Sequence, residues 1–229
     1  MAGRRPTASQ GRAQAPEKHQ STEHEESMAD SAELIAEHYQ KTYEVTLQVW
    51  GQRNQTFLVL LGVVGAATLL TFNAAQTQPL LLDLIAKLLS IENSTRQQEL
   101  RASFPYGLIQ TILLMVVLYL TLVLYHRTTS IKRNYVYLGK LEDELRTLLG
   151  LSAGSIAFTR EGRFYESNSP ALRHAVGIAY IGMLGLLLFA FLGMRIYTDL
   201  GSGNYLVAAV DFVLALPTAL FFIAYVRAS

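Results

Sequence analysis

The chain has 229 residues, 51% of them hydrophobic and only 16% charged, with a net charge of +1. Soluble domains carry roughly 25% charged residues, so this composition points away from a water-soluble globule, and its near-neutral balance argues against a nucleic-acid partner. Cysteine is absent, which excludes disulfides, thiolate metal sites and cysteine nucleophiles.

Residues 1–28 are almost free of branched and aromatic side chains, so they bury too little surface to offset ordering and read as a disordered cytoplasmic tail. They also lack the apolar core of a secretory signal, which leaves the first apolar run as an expected uncleaved signal-anchor. The run Glu23-His24-Glu25-Glu26 has ligand-type residues but reads as a solvated charge cluster, and no metal site is expected.

At Asp30 a helix is predicted to begin, with Glu33 completing a capping-box-like pair. Ile35, Tyr39, Tyr43, Leu47 and Trp50 recur at steps of four and three, the stripe of an amphipathic cytoplasmic helix over 29–55. It is expected to run into the first membrane span at 56–75, flexing at Gly51. No charged residue occurs from Asn54 to Leu82. Residues 76–106 then form an external loop. Pro79 opens a short helix there, with Leu81, Leu84, Ile85, Leu88 and Leu89 on one face. It is too short to span and is suited to lying at the membrane interface.

The second span, 107–126, has twenty residues without Lys, Arg, Asp or Glu, enough at ~1.5 Å per residue to cross a ~30 Å hydrocarbon layer. Nothing stops the helix there. It is predicted to continue over 127–150 as a charged, amphipathic stalk with Ile131, Tyr135, Leu138, Leu141, Leu145 and Leu148 on one stripe, closed by Gly150. A cytoplasmic loop over 151–174 follows, with a hairpin turning at Glu161-Gly162 and a helix start at Ser169-Pro170. The third span is 175–194, an external turn covers 195–204, and the fourth span is 205–226. The fold expected is therefore all-α: a polytopic integral membrane protein with four transmembrane helices and an amphipathic cytoplasmic stalk.

On this topology fifteen of the nineteen Lys and Arg residues fall on one side and four on the other. The positive-inside rule then puts both termini in the cytoplasm, in a plasma or inner membrane. The two charged extensions run antiparallel on that side, and pairing their stripes, within one chain or between subunits, would give a hairpin about 35 Å long.

Asp211 is the carboxylate inside a span, and an intramembrane charge costs about 2.5–3.5 kcal/mol on insertion scales, so function is the default reading. Gln110 and Asn73 are expected at similar depth, with Arg195 reaching down from the third span. The four would form a polar cluster or line an ion path, and Pro217 would kink the helix beside it. The competing reading is a buried Asp that fixes helix packing. Small-xxx-small pairs at Gly62 and Ala66, Ala175 and Ala179, and Ala215 and Ala219 allow close helix approach and suit a homo-oligomer. Arg127, Lys132, Arg133, Arg160, Arg163 and Arg173 make the cytoplasmic surface basic; they could grip anionic headgroups or a nucleotide, but chiefly they read as topology determinants.

There is no HExxH, P-loop or GxSxG motif, so no catalytic residue and no cofactor is expected. The layout is similar to that of small multi-pass effectors of prokaryotic stress and defence systems, a likeness that implies nothing further about activity. The function expected is a non-enzymatic, oligomeric, membrane-perturbing or pore-like effector, its partners the lipid bilayer and other copies of itself. The alternative is a membrane anchor whose stripe docks a soluble cytoplasmic partner.

Overall fold

The computed structural model describes residues 17–72, 74–88, 90, 93, 106–152, 154–155, 157–158, 171–201, 203 and 205–229. All regular structure among them is helical: α1 (Glu17–Phe72), α2 (Ala74–Leu88), α3 (Tyr106–Leu148), α4 (Ala171–Gly201) and α5 (Tyr205–Ala228). By length and composition α1, α3, α4 and α5 are each long and apolar enough to cross a membrane.

α1 is 56 residues of unbroken helix. It starts at Glu17, immediately after Pro16, so the Asp30 start is overrun and residues 17–28 are helical instead of forming part of a disordered tail. Between Glu17 and Asp30 there is neither Pro nor Gly, and adding residues to an existing helix is cheap once its nucleus has formed. Gly51 does not interrupt α1 either. α2 likewise starts upstream of the expected position, at Ala74, and holds Pro79 inside it. It rests on α1 through buried Leu82 and Ala86, while Leu84 and Leu88 face outward. Leu81 and Leu89 lie outside the described side chains, as do the residues of the predicted hairpin turn and the Ser169-Pro170 helix start.

α1 and α3 form one long antiparallel pair. Tyr39 Oη donates to Glu142 Oε1 at 2.9 Å, Asn134 Nδ2 donates to Thr46 Oγ1 at 3.1 Å, and Tyr106 Oη donates to the Leu70 carbonyl at 2.7 Å. These partners keep nearly constant register from one end of α3 to the other. The buried face of α3 explains the pairing: Leu114, Val117, Thr121, Leu124, Thr128 and Ile131 follow steps of three and four, and Leu138, Leu141 and Leu145 continue them. That is a 3.5-residue period, the repeat of a left-handed helix pair. It runs from the apolar half of α3 into the charged half without a change of phase.

On α1 the same seam is filled by Ala32, Thr46, Thr56, Leu60 and Ala67, all buried. Ile35, Tyr39 and Tyr43 border it, but Leu47 and Trp50 remain 46% exposed, each of them. Thr46 takes the place expected of Leu47 because a seam with a 3.5-residue period drifts from a straight 3.6-residue stripe. Each seam threonine returns its hydroxyl to the carbonyl four residues earlier, as Thr46 does at 2.7 Å and Thr121 at 2.7 Å, so none buries an unsatisfied donor.

α3 ends at a glycine cap. Gly150 has φ +60°, and Leu151 N donates to the Arg146 carbonyl at 3.0 Å while Gly150 N donates to that of Thr147 at 3.2 Å, the paired bonds of a Schellman ending. Arg146 then gathers the carbonyls of Ser152, Ser155 and Ala157 at 3.1, 2.8 and 2.7 Å. The chain is thereby folded over the helix tips, and Phe158 sets its ring edge-on to Tyr39.

α4 and α5 complete a four-helix core against the apolar halves of α1 and α3, built on Leu60, Val64, Leu114, Leu184, Phe191 and Phe222. At Gly185 a Cβ would come within 3.1 Å of two Phe222 ring atoms, so glycine there lets α4 and α5 close up. Of the three small-residue pairs, Ala215 and Ala219 lie at a helix interface, whereas Gly62, Ala66, Ala175 and Ala179 face outward.

Candidate functional site

Where α3, α4 and α5 meet at one end of the apolar core, five polar side chains are buried together: Asp211 at 0% exposure, Arg195 at 3%, Asp199 at 5%, Gln110 at 6% and Thr111 at 9%. At this burial, charge cannot be screened by water, so partner geometry decides the energetics.

Arg195, in the last two turns of α4, is the hub. Its Nε donates to Asp211 Oδ2 at 2.6 Å and its Nη2 meets the same oxygen at 2.5 Å. Nη1 pairs with Asp199 Oδ1 at 3.0 Å and also donates to Gln110 Oε1. Nη2 further approaches the Gly107 carbonyl and Thr111 Oγ1, both at 3.4 Å. All three guanidinium nitrogens thus have acceptors, which accounts for every donor the group owns. Thr111 Oγ1 donates to Asp211 Oδ1 at 2.9 Å, so both oxygens of Asp211 are engaged. The cluster sets one guanidinium between two carboxyl groups.

Local sequence explains the placement. Arg195 and Asp199 are four apart on α4 and share a face. Gln110 and Thr111 lie in the first turns of α3, and Asp211 lies on the face of α5 that runs from Ala208 through Ala215, Thr218 and Phe222, all buried. Removing one member of such a pair leaves a charge in an apolar interior, at a cost of about 3–5 kcal/mol.

No protein family model matches this chain, and no curated protein and no solved structure is similar to it. Three of the residues expected to cluster, Asp211, Gln110 and Arg195, are in direct contact. Asn73 lies outside the described residues. Pro217 is six residues beyond Asp211 on α5, about 9 Å along the axis, and takes no part in the cluster. α5 passes through it as continuous helix.

Two members were not foreseen. Asp199 falls in the external turn expected over 195–204, yet α4 continues to Gly201 and carries it inside; its signal is the Arg-x-x-x-Asp spacing from Arg195. Thr111 gave no signal beyond its position next to Gln110. The stripe expected to dock a partner is instead covered by α1: Ile131, Leu138, Leu141 and Leu145 are buried within the chain, and Tyr135 and Leu148 are half-buried. Among the described residues no group of three or more His, Asp or Glu is placed to hold a metal ion.

Proposed function

We propose that this chain is a non-enzymatic, four-pass membrane protein that acts on the bilayer as a pore-like or membrane-perturbing effector in an oligomer. The charged halves of α1 and α3 form its cytoplasmic control arm. The observation that carries this reading is the Arg195–Asp199–Asp211 cluster, because ionisable groups are retained in a bilayer interior chiefly where they serve an ion path or a switch. In the closed arrangement Arg195 occupies both carboxyl groups. Moving α4 relative to α5 would withdraw the guanidinium and leave two acceptors for a cation. Support for the orientation comes from the distribution of Lys and Arg, fifteen of nineteen on the side of both termini.

Salt leak from liposomes of the reconstituted protein tests the reading. Arg195→Gln should raise cation leak above the wild-type level, and Asp211→Asn should lower it. Equal, background-level leak from all three proteins would sink the proposal.

A second reading, an anchor for a soluble partner, is favoured by a different observation. Leu47, Trp50, Val136 and Tyr137 lie on the charged halves of α1 and α3 and are exposed at 46%, 46%, 60% and 44%. These residues, and not the covered α3 stripe, are the ones to replace. Loss of partner capture with unchanged membrane insertion would favour the anchor.

A further inference from the structure

At the opposite end of the apolar core, Arg127 of α3 bonds to α1 at Gln52 and Thr56, which flank Arg53 in the sequence. Arg53 is the last charged residue before the uncharged run of α1, and Arg127 is the first after that of α3. Arg127 Nη1 donates to the Gln52 carbonyl at 2.7 Å and to Thr56 Oγ1. Arg53 Nη2 donates to Tyr225 Oη at 3.2 Å and Nη1 to Asn54 Oδ1 at 3.4 Å, with its guanidinium 5.8 Å from the Tyr225 ring centre. Every one of these acceptors is neutral.

Neither arginine is paired with a carboxylate among the described residues. The nearest acid on α1 is Glu44, nine residues from Arg53, about 13 Å along the helix. On α3 it is Glu142 and on α5 it is Asp211, each fourteen or more residues away from Arg127 or Tyr225. Arg227 on α5, and exposed Lys132 and Arg133 on α3, add positive charge at this level. Arg53 Nε is buried and has no hydrogen-bond partner, while both arginine side chains as a whole keep part of their surface open. Five N–H donors per guanidinium exceed the neutral acceptors found here, and the planar fork matches phosphate oxygens.

We propose that Arg53 and Arg127, with the Tyr225 hydroxyl beside them, form a seat for one phosphate group, supplied by an anionic lipid headgroup. This rests on the membrane reading but not on the pore: the arginines stand where the apolar run ends, the depth at which a bilayer presents its phosphates. A lipid phosphate there would tie α1, α3 and α5 together from outside, on the side opposite the internal Arg195 cluster.

Native mass spectrometry of the full chain, released from micelles containing phosphatidylglycerol or phosphatidylcholine, tests this. The wild type should retain phosphatidylglycerol selectively, and Arg53→Gln with Arg127→Gln should weaken that retention by ~10-fold or more. Equal retention of the two lipids by the wild type would overturn the proposal. So would phosphatidylglycerol retention that the double substitution leaves unchanged. The wild-type comparison needs no variant, so misfolding cannot blur it. Displacement of the lipid by inorganic phosphate at millimolar level would uphold the phosphate seat and give the free ion as its source. Membrane insertion is read separately, by whether the protein stays in solution without detergent.

Discussion

The two ends of the apolar core solve the same problem, arginine in a low-dielectric setting, in opposite ways. At Arg195 every donor is matched inside the chain and two carboxyl groups close around one cation. At Arg53 and Arg127 the partners among the described residues are carbonyl, hydroxyl and amide oxygens. The first arrangement is self-contained and removes its charges from solvent. The second stays half-open, and among the described residues no carboxylate compensates it. Full burial of the Arg195 guanidinium thus goes with carboxyl partners, and the partial exposure of Arg53 and Arg127 goes with neutral ones.

That contrast can be broken most severely at Arg195. Arg195→Gln leaves Asp199 and Asp211 buried without their cation and should cost about 3–5 kcal/mol, seen as a collapse of the thermal transition in detergent. Asp211→Asn keeps an oxygen for the guanidinium and the Asp199 pair, so its cost should fall to about 1–3 kcal/mol. Combining the two tests their coupling: the double variant should be less destabilised than the sum of the single ones. Arg127→Gln, at the open end, orphans no opposite charge and should cost only about 1 kcal/mol in lipid-free detergent. Should Arg127→Gln prove as damaging as Arg195→Gln, the distinction between the two ends is wrong. Trp50→Ala lies outside both ends on an exposed face, and its effect on unfolding should stay within about 0.5 kcal/mol.

The sequence made the four apolar helices plain because each is defined by a long uncharged run, a feature that needs no partner to be seen. The two stripes and their lengths also called for antiparallel pairing of the charged extensions, but pairing within one chain and pairing between subunits satisfy the same stripes equally. Helix ends were not. Asp30 has the chemistry of a cap, but nothing between it and Glu17 breaks a helix, so the cap signal competes with propagation and loses. The phase of the α1 stripe was off by one position at Leu47 and Trp50, because the 3.5-residue seam belongs to the pair and is invisible in a single helix. At the site, Asp211 and Arg195 stood out as charges at the limits of apolar runs. Asp199 was hidden by the assumption that a helix stops where its apolar run stops.

α1 and α3 pass between their apolar and charged halves as single rods, with the seam period unchanged and no proline or paired glycines at the crossing. Such a pair has no joint at which to absorb a twist. A twist applied to the charged tips, where Arg146 and Phe158 clasp the chain, would have one continuous helix to follow to Thr111 and Gln110, some ~50 Å away. The salt bridge and the clasped tips thus sit at opposite ends of the same helix.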